Sequence, residues 1–159
     1  MPVSGEEKGL LGSKYYTDNP VYPLNNTIAN LNIDMIGRLD DWHSTGNYVY
    51  LIGSDRLSYD LHNINEEVNN KYTKLELDYK YNDEEDPNRY YYRSDHYNFA
   101  KNNIPVIFYF NGVHEDYHRP SDTIEKLDFS KIKTISKLVF LTAWELANRE
   151  EKIKLREDL

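Results

Sequence analysis

The stretch Ile-Pro-Val-Ile-Phe-Tyr-Phe at residues 104–110 is the most apolar run of the chain and decides its fold. A short apolar run of this kind predicts a strand that is buried in the interior. Residues 27–37 and 48–53 are two further apolar runs, and each ends in a glycine. Residues 74–81 alternate apolar and polar positions, as in a half-buried strand. The sequence therefore predicts a sheet of at least these four segments.

Two stretches carry apolar side chains at helical spacing. Residues 56–72 and residues 130–149 each predict an amphipathic helix, and residues 95–102 predict a shorter one. Strands that alternate with helices indicate an α/β fold. We expect a mixed, mostly parallel sheet flanked by helices, in which residues 27–37 and 104–110 are central strands.

Composition limits the possible functions. The 159 residues predict a single domain over residues 1–149, followed by a charged and frayed tail at 150–159. The net charge of −8 and the lack of a long basic run argue against nucleic acid or an anionic membrane as a partner. No segment approaches the apolar length of a membrane span. Because cysteine is absent, a metal site must use His, Asp and Glu, which suits a catalytic zinc better than a structural one.

The first chemical motif is Gly-Glu-Glu-Lys-Gly-Leu-Leu-Gly-Ser at residues 5–13. Its glycines around a leucine pair indicate a tight turn into a helix, which would fix the side chains of Glu6 and Glu7. Hydrolysis at a metal centre needs such neighbours, since one carboxylate binds the metal while the other carries a proton. Adjacent acids alone are common and are usually solvated.

The second motif is Asp34, near the end of the apolar run at residues 27–37. A buried carboxylate without a partner is costly. Either a metal ion at the strand end or an ordinary partner, such as the backbone or nearby Arg38, could satisfy it. Both interpretations stay open at this point.

The third motif lies in a long polar loop, a type of segment that often carries function. His114, Glu115 and His118 match the His-Glu-x-x-His pattern of helical zinc proteases. That chemistry requires a helix, yet a glycine precedes the motif, Pro120 follows it, and no apolar stripe supports one. We interpret the match as accidental, with His118 as a ligand and His114 exposed. A helical zinc protease built on the pattern is the alternative.

The consecutive residues Ser94, Asp95 and His96 cannot form a nucleophilic relay, because their side chains diverge. Asp95 or His96 is expected to orient a ligand or a loop. The three tyrosines at residues 90–92 could place one phenol over the site as an oxyanion donor, or they could pack at the surface.

Four motifs follow one another along the chain: Glu-Glu-x-Gly-Leu-Leu-Gly-Ser at residues 6–13, Asn-x-Asp-Met-Ile-Gly at 32–37, Ser-Asp-His at 94–96 and His-x-Pro-Ser-Asp-Thr at 118–123. In this order they resemble the two-zinc aminopeptidases of metallopeptidase family twenty-eight. This group includes bacterial leucyl aminopeptidases and, with altered metal content, glutaminyl cyclases. The resemblance runs from Glu6 to Thr123 and extends to the C-terminal helix. It implies a zinc-exopeptidase fold of the phosphorylase/hydrolase-like kind and removal of N-terminal residues from peptide substrates. It also implies a periplasmic or secreted location.

Residue by residue, the resemblance implies that Glu6 is the general base and that Glu7 and His118 bind one zinc ion. Asp34 would bind the second zinc ion. Tyr91, three residues before the Ser-Asp-His motif, lies where the family often has a tyrosine that steadies the tetrahedral intermediate.

The chain departs from the family pattern in one respect. The family's His-x-Asp ligand motif and its metal-bridging Asp precede the Glu pair, where this chain has no residues. The resemblance therefore implies a partial catalytic domain that lacks its first strands, has little or no activity alone, and exposes a sheet edge that could pair between chains. A non-catalytic remnant of the fold is the alternative.

Overall fold

The computed structural model describes residues 1–158, and within this range four strands form one mixed sheet. They are β1 (Asn30–Ile33), β2 (Tyr48–Ile52), β3 (Glu76–Asp78) and β4 (Val106–Phe110). Their order across the sheet is β1-β4-β2-β3. The β1–β4 and β2–β3 pairs are parallel and the β2–β4 pair is antiparallel. The predicted α/β fold with a mixed, mostly parallel sheet is confirmed.

Four α-helices lie in the described residues, and two of them begin at a side-chain cap. They are α1 (Leu11–Asp18), α2 (Tyr59–Val68), α3 (His96–Ala100) and α4 (Phe129–Ala147). The Ser58 hydroxyl accepts a hydrogen bond from the Leu61 N–H at 3.3 Å, and the Asp128 carboxylate accepts one from the Lys131 N–H at 3.0 Å. Hence α2 begins later than the apolar spacing alone predicts. In the described part of the chain, no helix combines the length and apolar content needed to cross a membrane.

Two apolar layers cover the sheet, one on each face. Side chains of a strand alternate between faces. On β4, Ile107 and Tyr109 pack with α2 and α4, whereas Phe108 and Phe110 pack on the opposite face with residues of α3. All residues of β2 and β4 are buried. These two strands form the centre of the molecule.

The prediction that residues 27–37 form a central strand is wrong. Strand β1 pairs with β4 alone and lies at the edge of the sheet. The N–H groups of Asn30 and Asp34 donate to carbonyls of the β4 segment at 2.8 and 3.3 Å. In an alternating ladder, the peptide groups of Leu31 and Ile33 therefore point outward. The run has the apolar character of an interior strand, but no second strand pairs with it in the described residues.

The tail at residues 150–158 is held against the body rather than frayed. The Arg156 N–H donates a hydrogen bond to the Leu57 carbonyl at 2.9 Å, and Ile153 packs against the apolar layer below α2 and α4. The expectation of a frayed tail is wrong here, because backbone bonds and apolar contact offset the cost of ordering these residues. Leu159 lies outside the described residues.

Candidate metal centre

A cleft of about 440 Å³ opens at the carboxyl ends of β1 and β4. Its walls include four of the five residues that the sequence nominates: Glu6, Glu7, Asp34 and His118. They come from three separate segments, namely a turn before α1, the end of β1 and the loop after β4. Ligands of α/β proteins commonly bind at such strand ends. The topology thus brings the three motifs together.

The two glutamates lie in a tight turn before α1. Glu6 and Glu7 begin a 3₁₀ turn that is flanked by two glycines with left-handed backbone, Gly5 (φ 71°) and Gly9 (φ 99°). The turn is closed by a hydrogen bond from the Leu10 N–H to the Glu6 carbonyl at 2.8 Å. The glycines permit this path, and the turn fixes both acid side chains at the mouth of the cleft.

Asp34 follows β1 directly and is oriented by a serine. The Ser94 hydroxyl donates to Oδ2 of Asp34 at 2.8 Å, and it accepts a hydrogen bond from the Asn32 amide at 3.0 Å. Burial raises the pKa of Asp34, and the Ser94 hydrogen bond opposes that rise. Arg38, the alternative partner considered above, bonds to other carboxylates. Asp34 is therefore held in place by Ser94 while it faces the cleft.

His118 lies beside Glu7 in a sparsely populated backbone conformation. Its Nε2 atom is 2.9 Å from Oε1 of Glu7, and the Tyr117 ring stacks on the imidazole at 3.8 Å. The φ angle of His118 is 57°, and two other residues of the cleft wall, Leu10 and Met35, share this value. Positive φ is uncommon outside glycine and concentrates at functional sites. The cleft therefore combines strained backbone with a nitrogen–carboxylate pair.

The His-Glu-x-x-His match does not form a helix. Residues 113–123 form turns and irregular backbone, so His114 and His118 do not share a helical face. The alternative of a helical zinc protease is wrong for this reason. The prediction of an exposed His114 is also wrong, because its side chain is only 7 % exposed and its Nε2 lies 3.7 Å from Oδ2 of Asp122.

Tyr91, the fifth nominated residue, packs away from the cleft. Its ring lies 4.0 Å from the guanidinium carbon of Arg56 and rests on the backbone of Gly53. A Cβ atom at Gly53, whose φ is 81°, would come within 2.6 Å of that ring. Tyr90 lines the cleft instead. The sequence offered all three tyrosines as candidates, because identical side chains in a row give no signal of which one points inward.

The Ser-Asp-His motif divides into three roles. Ser94, rather than Asp95 or His96, orients a predicted ligand. Asp95 accepts a hydrogen bond from the Ser13 hydroxyl and so ties α1 to the start of α3. His96 is fully buried and stacks on Phe108 at 4.6 Å, and burial lowers its pKa to about 3. The imidazole of His96 is therefore a neutral core side chain at physiological pH.

The electrostatics of the cleft favour a bound cation. Burial first, and then three neighbouring carboxylates, raise the pKa of Glu6 to about 7. Those carboxylates belong to Asp34, Glu7 and Asp95, and His118 opposes them. The Glu7 oxygen and the His118 nitrogen are donors that zinc accepts. In the described part of the chain, however, no three His, Asp or Glu side chains are close enough together to hold a metal ion. The donors fit zinc in type and fall short in number.

Comparison with known proteins gives the family context. The model of peptidase family M28 matches residues 1–143. Probable leucine aminopeptidases of Arthroderma benhamiae and Trichophyton verrucosum are each 33 % identical to this chain over 152 residues. These matches cover 91 % of this chain and 37 % of each relative. The chain thus spans little more than a third of the length of these relatives.

Solved structures share the fold. An aminopeptidase of Legionella pneumophila is similar with a TM-score of 0.71 at 24 % identity. The match covers 94 % of this chain and 38 % of the Legionella chain. A zinc aminopeptidase from Bacillus subtilis gives a TM-score of 0.68 at 23 % identity, and the match covers 96 % of this chain and 35 % of the Bacillus chain. Porphyromonas gingivalis glutaminyl cyclase gives a TM-score of 0.62 at 19 % identity, and the match covers 91 % of this chain and 49 % of the cyclase chain. The four motifs, the shared fold and the match over most of the chain agree, and the chain belongs to peptidase family M28.

Proposed function

We propose that this chain carries part of the catalytic centre of a zinc-dependent aminopeptidase, which hydrolyses N-terminal residues from peptides. The observation that supports this most strongly is the meeting of Glu6, Glu7, Asp34 and His118 in one cleft at the strand ends. The names of the relatives, which are leucine and zinc aminopeptidases, point to the same activity.

The proposed metal ligands are Glu7 and His118 for one zinc ion and Asp34 for a second. The first two already have their donor atoms 2.9 Å apart, and Ser94 holds the carboxylate of the third. When bound, zinc would acidify a water molecule and polarise the peptide carbonyl of the substrate. The number of zinc ions in the complete site is part of this proposal.

Glu6 is the proposed general base. Its carboxylate is adjacent in sequence to the ligand Glu7 and lines the same cleft. Its pKa is about 7 in the metal-free chain. As general base it would accept a proton from water and return it to the leaving amine. A cation at Glu7 and His118 would lower this pKa and keep Glu6 ionised at neutral pH.

Tyr90 replaces Tyr91 as the proposed oxyanion donor. Tyr90 lines the cleft, and burial raises its pKa, so the phenol stays protonated at neutral pH. A protonated phenol beside the ligands could donate a hydrogen bond to the developing oxyanion. The placement of Tyr91 against Gly53 and Arg56 gives it no access to the cleft.

The chain by itself is expected to have little or no peptidase activity. A catalytic zinc normally holds about three protein ligands. Glu7 and His118 supply two to one position, and Asp34 supplies one to the other. A non-catalytic remnant of the fold is the second candidate, and the absence of a three-ligand cluster in the described residues favours it over an active isolated chain.

We also propose that chains self-associate through the free edge of β1. The outward peptide groups of Leu31 and Ile33 are unpaired with any strand of the described chain, and Ile33 is 44 % exposed. The strand Asn30–Ile33 carries no charged residue or proline that would block pairing.

Zinc calorimetry and a leucyl-anilide assay test the proposed function. We expect weak zinc binding, negligible turnover by the chain alone, and zinc binding that survives Glu6→Gln. In a longer polypeptide that supplies the remaining ligands, Glu6→Gln should abolish turnover at unchanged zinc content. Loss of zinc in Glu6→Gln would mean that Glu6 is the ligand and Glu7 is the base. Tight binding of two zinc ions with robust turnover by the chain alone would contradict the incomplete site.

A further inference from the structure

Arg38 connects the Asp34 segment to the loop that carries His118. Its guanidinium group donates from Nη2 to Oδ2 of Asp116 and from Nη1 to Oδ1 of Asp122, each at 2.7 Å. The Arg38 side chain is only 15 % exposed and that of Asp116 is 7 % exposed. The bond to Asp116 is partly buried, where charge-assisted hydrogen bonds of this length are strong, whereas the bond to Asp122 is exposed to solvent.

The two carboxylates bracket His118 in the sequence. Asp116 precedes it by two residues and Asp122 follows it by four. Between them the backbone makes successive turns, in which the Arg119 N–H donates to the Asp116 carbonyl at 2.9 Å and the Asp122 N–H donates to the Arg119 carbonyl at 3.1 Å. A single guanidinium therefore bonds to both ends of the turn that carries His118.

His118 has a backbone conformation that is uncommon for residues other than glycine. A φ angle of 57° is unfavourable for a side chain with a Cβ atom, so neighbouring contacts must maintain it. On the other side of the loop, the Lys126 ammonium donates to both oxygens of Asp116, at 2.8 and 2.7 Å. Lys126 fixes Asp116 to the segment before α4, and Arg38 fixes the same loop to the segment after β1.

We propose that Arg38 is a positioning residue that holds His118 at a fixed position relative to Asp34. This inference rests on the proposed function, in which the two residues bind neighbouring zinc ions. Asp34 and Arg38 belong to one short segment after β1, whereas His118 comes from a loop more than eighty residues later in the chain. Through Arg38, movement of the His118 loop relative to β1 would break two ion pairs at once.

The fork geometry of arginine matters for this role. One planar guanidinium can present separate N–H groups to two carboxylates in a fixed arrangement, whereas a lysine ammonium is a point charge on a flexible stem. Arg38→Lys should therefore keep the charge and restore part of the effect, and Arg38→Met should remove it. Arg119→Met is the matched control, because Arg119 is an exposed arginine on the same loop.

Hydrogen exchange of the full chain, read by mass spectrometry, tests the proposal in the absence of metal. Arg38→Met should raise exchange at residues 114–122 by about 10-fold or more, with Arg38→Lys between it and the wild type. Exchange of β2 and β4 should stay unchanged, and Arg119→Met should match the wild type. Equal exchange at residues 114–122 in Arg38→Met and the wild type would overturn the proposal, as would a uniform rise across the sheet.

Zinc affinity by calorimetry is the second readout. Arg38→Met should weaken zinc binding about 10-fold, the lower end for groups that orient metal ligands. If the wild type binds no zinc, the proposed function fails, and the exchange result still decides the role of Arg38.

If Arg38→Met does not fold, Asp122→Asn takes its place, since it removes one of the two ion pairs at a residue that is 38 % exposed. A smaller rise in loop exchange would then support the proposal, and no rise would overturn it.

Discussion

The two neighbours of β4 differ in a way that separates stability from function. On one side lies β2, antiparallel to β4, with every residue buried. On the other side lies β1, parallel to β4, with every residue at least partly exposed. Parallel strands are normally buried on both faces. Strand β1 therefore has the pairing of an interior strand and the exposure of an edge strand.

The β1 side of β4 is the open side of the sheet, and the β2 side is the closed side. The candidate metal centre lies on the open side. A second cavity, of about 570 Å³, runs along the free edge of β1 and shares Glu6, Glu7 and Asp34 with the metal cleft. Glu7 and Asp34, two of the three proposed metal ligands, thus open toward the edge where the sheet has no further strand in the described chain. The closed side is fully buried, and the open side carries residues that are proposed to bind metal.

Truncation of one isoleucine in the buried centre of the sheet and one at its free edge should give the largest contrast. Ile107 of β4 is fully buried, whereas Ile33 of β1 is 44 % exposed. We expect Ile107→Ala to lower the free energy of unfolding by about 2–5 kcal/mol through lost burial and a cavity. Ile33→Ala should cost less than about 1 kcal/mol. Urea denaturation measures both, and equal losses would show that β1 is as well packed as β4.

The buried core should also be sensitive to acid through His96, which stacks on Phe108 of β4. Its pKa is about 3 when folded and 6.5 when unfolded, so the unfolded chain binds more protons between these values. Stability should therefore fall as the pH drops from 6.5 toward 3. By pH 5.5 the loss amounts to about 1.4 kcal/mol.

Replacement of His96 isolates this contribution. His96→Phe keeps an aromatic ring in the core and cannot take up a proton. Urea unfolding at pH 7.5 and pH 5.5 should show a smaller acid loss in His96→Phe than in the wild type. The same loss in both proteins would place the acid sensitivity elsewhere.

On the open side, Glu6→Gln should stabilise the metal-free chain at pH 8 by roughly 1 kcal/mol, after allowance for solvent screening. Because the folded pKa of Glu6 is raised to about 7 from 4.5, its ionisation removes stability as the pH rises through this window. At pH 4 the carboxyl group is protonated in both states, so the gain should vanish. A gain that persists at pH 4 would point to a packing effect.

Charge on the free edge should change association more than stability. Ile33→Lys should alter the free energy of unfolding by less than about 0.5 kcal/mol and should abolish concentration-dependent association through β1. Phe140→Lys, at another exposed apolar residue on α4, is the matched control. Sedimentation velocity distinguishes the two variants. Association that persists in Ile33→Lys, or disappears in both, would contradict pairing through β1.

Sequence patterns predicted the parts of this molecule that depend on local composition. The apolar runs gave β2 and β4 almost to the residue, and the motif residues Glu6, Asp34 and His118 share one cleft, as the strand-end argument expects. Both results follow from signals contained in a few consecutive residues. Side-chain periodicity reports which segments are buried, and carboxyl ends of parallel strands meet at one edge of a sheet.

The remaining features depend on contacts distant in sequence. The edge position of β1 follows from strand order, which apolar runs do not encode. The choice of Tyr90 over Tyr91 depends on the approach of a ring to Gly53. The ion pairs of Arg38 join residues 78 and 84 positions apart. Local patterns carry no signal for such pairs.

Binding of zinc by Glu7 and His118 is the core of the proposed function. Side-chain NMR of the five histidines during a zinc titration measures it residue by residue. We expect the ring resonances of His118 to shift first, those of His96 and His114 to stay in place, and Glu7→Gln to weaken the His118 response. A joint shift of His114 and His118, or a His118 ring that does not respond to zinc, would show that Glu7 and His118 do not bind zinc together.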